Sequence, residues 1–488
     1  MVMPVISEKN NMKNILIIAQ HTSKEILQQK AVRLLMCLLG LLIIYAGIIG
    51  TLQYKKAETA RAKYQKEVRD SWVNSPDKHP HRMAHYGFIT FRPKSSLSIF
   101  DYGIESYTGN VIFLEAHRQN STNFSEASLS TSILRFGEIS IAMVLQILLP
   151  LFIFFIGFNC ISKDRENGTL KILIGQGLSS KQLLIGKIMG IATVAAYIFI
   201  PTIIYASALN VFTKADDSTW VQLLLSFIIY TCSIFIYSSI AVIISAISKS
   251  SKQALVLLIG IWLFLIIVLP RLTQMVANTI YNIPSKISFE TAIEQDIIKE
   301  GDSHNPDDKH YKALKDSVLK ANKADSVQQL NFNYAGLQMM EGERISAQIY
   351  NNHLDSLMHI FKMQNRLQVY TSFVNPYVGI KQLSMALSQT DFDTYTNFQQ
   401  QAENYRYDLA QAMNALQIKL VSNKKLADTA KSYSIDKKNW TAFKDFIYQK
   451  PSLQTILGSQ LLGFCTLLFW IILVGLLITI TSKKFKAI

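Results

Sequence analysis

Six long apolar runs divide the chain, at 34–53, 138–158, 186–211, 221–247, 254–270 and 455–481. Each can cross a hydrocarbon layer of about 30 Å at about 1.5 Å per residue, with 254–270 near the lower limit. Pro150 and Pro201 fall inside the second and third runs, where either can kink a helix. Two long polar stretches, 54–135 and 271–453, interrupt the series. The second is poor in Gly and Pro and rich in Gln, Asn, Ala, Leu and Lys, which is a helical composition. Within it Tyr395, Phe398, Ala402, Tyr405, Leu409, Ala412 and Leu416 recur at alternating spacings of three and four, a coiled-coil-like seam. Leu354, Leu357, Met358 and Phe361 make a second stripe. The pattern predicts that the two stripes pack on each other as a helical bundle; the alternative is an exposed groove for a partner. Residues 373–387 are apolar around Asn375-Pro376 and read as a turn against the membrane surface. Ahead of the first run, Ile15, Ile18, Ala19, Thr22 and Ile26 share one helical face. They predict an interfacial helix, the alternative being a simple extension of the first span. The fold class expected is an all-α membrane protein: six transmembrane helices, an N-terminal amphipathic helix and a large helical extracytoplasmic insertion.

Orientation follows from the bias of Lys and Arg towards cytoplasmic short loops. Lys163, Arg165, Lys171 and Lys181 follow the second run, Lys249 and Lys252 join the fourth to the fifth, and Lys483, Lys484 and Lys486 end the chain. The short opposite loop at 213–220 sets Lys214 against Asp216 and Asp217. Both termini are therefore expected in the cytoplasm. The chain divides into a cytoplasmic N-terminus at 1–33, a first span at 34–53 and an extracytoplasmic region at 54–135. Spans two to five occupy 136–270 with a loop at 159–186, an extracytoplasmic helical domain covers 271–453, and the last span and tail cover 454–488. Lys55, Lys56, Arg61, Lys63, Lys66 and Arg69 conflict with this, but they sit in a long loop, and long loops translocate largely regardless of charge.

Composition narrows the function. Hydrophobic residues make up 49% of 488, and the formal charge is +15. Basic residues flank apolar runs, where they anchor topology. No zinc-finger spacing or basic helix with interleaved aromatics points to nucleic acid. Cys37, Cys160, Cys232 and Cys465 lie in or beside apolar runs, so neither a disulfide framework nor a Cys-based metal site is expected. No cleavable signal peptide is apparent, and Met12 is an alternative start to Met1.

The segment with the most mechanical content is short. Lys163-Asp164-Arg165-Glu166 leads into Asn167-Gly168, then Thr169-Leu170-Lys171-Ile172-Leu173-Ile174, with Gly175 and Gly177 closing the run. Ser179 or Ser180 can then cap the next helix. A short helix held between two spans can pass force into both; the alternative is an ordinary charged loop. Glu166-Asn167-Gly168-Thr169-Leu170, Gly177-Leu178-Ser179 and Gly186-Lys187 resemble the first cytoplasmic loop of ABC-2 type transporter permeases. Further motifs resemble a bacterial subfamily with a large outer domain, distantly similar to the permease of nitrous-oxide-reductase maturation. They are His79-Pro80-His81, Gly103, Tyr107-Thr108-Gly109, His117-Arg118-Gln119-Asn120, Asn375-Pro376, Phe398 and Ala402-Glu403-Asn404-Tyr405-Arg406. The resemblance implies that Arg165, Glu166, Gly168, Thr169 and Leu170 form a coupling helix for a separate ABC ATPase subunit. It also implies that the chain pairs with an identical or sister permease in the bacterial inner membrane.

No Walker A loop is present, so ATP and Mg are expected on the partner ATPase and no catalytic or cofactor-binding residue on this chain. No HExxH, GxSxG or Cys/His constellation suggests hydrolysis. His79, His81, His85 and His117 are the candidate metal ligands, but their spacing is loose, and no metal site is expected from it. Intramembrane charge is nearly absent: Arg135 and Glu138 sit at the mouth of the second run and Arg271 ends the fifth. This argues against an ion-driven transporter. The function expected is a permease subunit that exports a substrate or transmits force, without enzymatic activity of its own. The alternative is a non-transporting membrane scaffold whose outer domain recruits a periplasmic partner.

Overall fold

The computed structural model describes residues 3–117, 119, 139–303, 305, 307–424 and 433–484. The expectations for Arg135, Glu138 and Lys486 lie outside these residues.

Helix α1 (Met3–Gln28) meets α2 (Lys30–Val73) at Gln29. The predicted apolar face of α1 is buried: Ala19, Thr22 and Ile26 are each under a tenth exposed. Its neighbour is another helix, α7 (Ser180–Phe212). Contact is close because α7 presents Gly186 and Gly190 there. A Cβ on Gly186 would lie 2.6 Å from Ile18 Cβ, and one on Gly190 2.7 Å from Thr22 Cβ. Small residues one turn apart let helix backbones approach where lipid supplies no hydrophobic drive. Met12, Leu16 and Ile17 remain exposed on the opposite side.

Among the described residues six helices are long and apolar enough to cross a membrane: Lys30–Val73, Ile141–Glu166, Ser180–Phe212, Asp217–Ile247, Ser251–Ile280 and Leu461–Lys484. The second contains a π-helical turn, Val144–Leu148, followed by α4 (Leu149–Gly157) and α5 (Ser162–Glu166). The fourth is α8 (Asp217–Ile247). The fifth contains α9 (Ser251–Leu263), a π-helical turn at Phe264–Val268 and α10 (Leu269–Ile280); it runs on beyond Arg271. Both π turns stop just before a Leu-Pro pair. Proline has no N–H, so it strips one carbonyl in the preceding turn of its donor. At the second proline a neighbour supplies the replacement, Asn375 Nδ2 donating to Leu265 O at 2.5 Å; in the first π turn Trp262 Nε1 donates to Ile147 O at 2.9 Å. Helix α8 lies at the centre, with Tyr230, Tyr237, Ser238 and Ser239 buried. The outer faces of α2, α9 and α16 (Leu461–Lys484) keep Leu41, Val256 and Leu476 exposed, as a lipid-facing helix requires.

The polar stretches show three features that sequence periodicity does not give. First, the two stretches pack on each other. Helix α2 continues to Val73, followed by α3 (Pro80–Ala84) and an antiparallel hairpin, β1 (Phe88–Phe91) and β2 (Val111–Leu114), with Phe88 opposite Leu114. These elements pack on α15 (Phe392–Leu420) through Trp72, Met83, Phe88, Ile112 and Leu114. Second, the 395–416 seam is covered, yet it faces this hairpin and Trp440, Phe446 and Tyr448, not the second stripe. Helix α13 (Tyr334–Thr371) covers a different face of α15, and α11 (Lys286–Glu300) and α12 (Lys309–Ala321) pack at the α13 periphery. The few strand residues, Phe88-Ile-Thr-Phe91 and Val111-Ile-Phe-Leu114, are β-branched and aromatic, but each run has only four residues, too short for alternation to register. Third, 373–387 is not a surface turn. Asn375 caps α14 (Pro376–Leu387), which wedges between α8 and α16 and buries Ile380, Leu383 and Leu387.

A buried polar node joins the two halves. The Asp101 carboxylate accepts hydrogen bonds from Gly103 N (3.0 Å), Ser384 Oγ (2.5 Å) and Gln146 Nε2 (3.3 Å). Gln146 Nε2 also donates to Tyr230 OH at 2.7 Å, and Tyr230 OH lies 2.9 Å from Ser384 Oγ. Asp101 is only 5% exposed, so a carboxylate does sit against the spans; it is delivered by a loop, which hydropathy along the helices does not reveal. Gly103, at φ +52°, makes the approach possible, since a Cβ there would sit 2.3 Å from Thr390 O.

Candidate functional site: the clamped helix between two spans

The chain leaves α4, turns at Phe158 and forms α5, then reverses at Gly168. Gly168 has φ +76° with nothing within 4 Å of a would-be Cβ, so backbone conformation, not space, calls for glycine. Helix α6 (Thr169–Gly175) follows. Gly177 repeats the left-handed conformation at φ +88°. Ser179 then caps α7 in a reciprocal capping box with Gln182, at 3.2 and 3.1 Å.

Helix α6 is two-sided. Leu170 is fully buried, and Leu173 and Ile174 pack on the membrane core. Thr169, Lys171, Ile172 and Gln176 face outwards, with Ile172 61% exposed.

The flanking residues tie this helix to four spans. Arg165 donates to Ala246 O (2.5 Å) and Ser248 O, carbonyls at the end of α8. Glu166 accepts from Ser251 N (2.9 Å) and Ser251 Oγ (2.7 Å), capping the start of α9. Asp164 pairs with Lys187 of α7 at 3.1 Å. Ser245 Oγ accepts from the backbone N–H of Ile161 and Ser162 at 3.0 and 3.1 Å. Carboxylate and guanidinium groups on free helix ends satisfy orphan backbone groups and favour the dipole sign at each end. A load on α6 therefore reaches α4, α7, α8 and α9 together.

Of the five residues proposed from sequence, Arg165 bonds the end of α8, Glu166 bonds Ser251 at the surface, Gly168 shapes the turn and Leu170 anchors it. Thr169 alone belongs to the outward face of α6. Lys171 and Ile172 complete that face; an apolar residue at helical spacing opposite Leu170 was the available signal. Gly186 of the Gly186-Lys187 pair is the contact point for α1. Of the four histidines, His81, His85 and His117 converge, whereas His79 caps α3 by accepting from His81 N at 3.2 Å.

Residues 104–290, which contain α4 to α10, match the family model of ABC-2 family transporter proteins. Residues 286–449 match the model of a domain of unknown function, DUF3526. No curated protein matches the chain significantly. The chain is a multi-pass membrane protein that carries an ABC-2 family transporter domain followed by a DUF3526 domain.

Proposed function

We propose that this chain is the permease subunit of an ABC-2 type transporter, with separate ABC ATPase subunits docking on the outward face of α6. Both termini and α6 lie in the cytoplasm, and the body built from α3, the hairpin, α13 and α15 lies outside. Two copies, or one copy and a sister permease, complete the pore or force-transmitting unit in the bacterial inner membrane. ATP and Mg belong to the ATPase. The observation that carries the assignment is the clamp: a seven-residue helix with an exposed Thr169–Lys171–Ile172 face runs on into α7, and the segment just before it is bonded to α7, α8 and α9. Such a helix converts a push from a partner into a concerted movement of the bundle.

Two variants test it. Ile172→Asp removes the apolar contact without touching the clamp, and is expected to lose the co-expressed neighbouring ATPase on purification while the permease inserts normally. Glu166→Ala breaks the clamp and spares the exposed face, so the ATPase stays bound but its stimulation falls. Full retention and stimulation in both variants overturns the coupling role of α6. A cysteine replacing the exposed Asp325 should react with an impermeant maleimide on spheroplasts; labelling only after lysis reverses the orientation.

One observation favours the scaffold alternative. Helix α11 buries none of its residues and leaves Ile287 and Ile298 77% and 64% exposed. A protein that binds there and persists without any ATPase would support it.

A further inference from the structure

The motifs His79-Pro80-His81 and His117 lie 36 residues apart in sequence from His81 to His117, yet the fold closes them into one cluster. Pro80 starts α3, and His85 ends it as the C-cap. His81 and His85 are four apart, so one helical turn stacks them on the same side, with ring centroids 4.7 Å apart. Strand β2 then carries the chain past Ala116, whose N–H bonds Ala84 O at 3.2 Å. His117 arrives against both rings at 5.6 and 5.2 Å. One ring nitrogen from each of the three lies within 4.8 Å of the others. An ion held at about 2.0–2.1 Å from each nitrogen needs them roughly 3.3 Å apart.

The surroundings orient the third ligand. Glu343 Oε2 accepts from both the backbone N–H and Nδ1 of His117, each at 3.0 Å. This turns Nε2 towards the other two rings. Glu343 is itself fully buried and paired with Arg406 at 2.6 Å. A carboxylate holding the outer nitrogen of an imidazole fixes its tautomer and raises its basicity towards a metal. His117 also adopts φ +61°, a left-handed conformation uncommon for a non-glycine residue and one that clusters at ligand sites. His85 is solvent-exposed, which leaves one side of the cluster open.

We propose that His81, His85 and His117 form a three-imidazole site for a divalent transition-metal ion of zinc-like, borderline softness, with Glu343 as the group that orients His117. Three nitrogen ligands with an open fourth position suit such ions, whereas calcium and magnesium take oxygen ligands, and the cluster found among the described residues is of three imidazoles. An ion there would staple α3 to the end of β2 and, through Glu343, to α13.

The test uses the full chain, purified without a histidine tag, stripped with chelator and titrated with Zn²⁺ by calorimetry, with bound metal counted by elemental analysis. One ion per chain is expected. His85→Ala removes an exposed ring, so it leaves the core intact and should abolish the stoichiometric step. Glu343→Gln should weaken binding about 10–100-fold. His79→Ala should bind as the parent does, since His79 only caps α3. No stoichiometric Zn²⁺ binding by the parent overturns the proposal, as does binding that survives both His85→Ala and His117→Ala.

Discussion

The two halves of the molecule are held together by opposite means. Among the spans, contact is made by what is missing: Gly157 accepts Ala241 where a Cβ would sit 2.7 Å away, and Gly186 and Gly190 accept α1. Gly463 does the same for Leu383 of α14, at 3.0 Å. Hydroxyls there mostly bond back into their own helix, as Thr193 does to Met189 O and Ser239 to Phe235 O. In the polar half, contact is made by large and charged groups. Trp72, Trp440, Phe398 and Arg406 are all nearly inaccessible. Arg406 bridges Glu403 at 2.7 Å and Glu343 at 2.6 Å. The difference follows from the solvent each half displaces. Water drives aromatic burial and makes an unpaired internal charge costly. Lipid tails are as apolar as leucine, so helices associate there only through close fit and hydrogen bonds.

This contrast can be broken most forcefully at Arg406. Arg406→Met leaves Glu343 and Glu403 buried without a counter-charge, a loss of about 3–5 kcal/mol. The polar half is expected to become protease-sensitive while all six spans stay inserted. If α1 and α7 also become cleavable, the halves are one cooperative unit and the contrast fails. Gly190→Leu probes the other side. Overpacking costs about 1–3 kcal/mol, and the side chain must displace Thr22. Cleavage within α1 should rise with no change in protease resistance of α13 and α15. Asn375→Leu sharpens the comparison at its boundary. It strips the Leu265 carbonyl of its donor and removes the cap of α14, each worth about 1 kcal/mol. A small fall in the thermal midpoint of the spans is expected in nanodiscs; a fall as large as that of Arg406→Met would place Asn375 among the principal determinants of the fold.

The six spans were legible because about twenty consecutive apolar residues have few other destinations. The amphipathic face of α1 was legible too, since a 3.6-residue period records burial; that the face meets α7 was not, because periodicity says nothing of the neighbour. The same limit misassigned the 395–416 seam, whose partner, the hairpin at Phe88–Leu114, is separated from it by some 280 residues. Residues 373–387 misled through Asn375-Pro376, a pair that opens helices as readily as turns. At the clamp, the residue types were readable but their direction was not. Glu166 is assigned to a coupling segment by resemblance alone, and its bond to Ser251 at the start of α9 appears only in space. The histidine cluster depends on where β2 delivers His117, which no spacing rule encodes.

Helix α2 has a further consequence. Its 44 residues contain no glycine or proline between Gly50 and Val73, and span about 66 Å, twice the hydrocarbon thickness. Near its middle Gly47 O accepts from Tyr205 OH of α7 at 2.7 Å; at its tip Trp72 donates to Trp440 O at 3.1 Å, and Arg69 grips Thr441 and Phe443. It is thus a ruler as much as an anchor. Adding one residue would swing Trp72 by about 100° away from its socket, whereas adding a full seven would keep the facing and lift the socket by about 10 Å. The height and azimuth of the Trp72 socket above the bundle are therefore set in helical steps, and a small tilt at Tyr205 becomes a movement of several ångström at the tip.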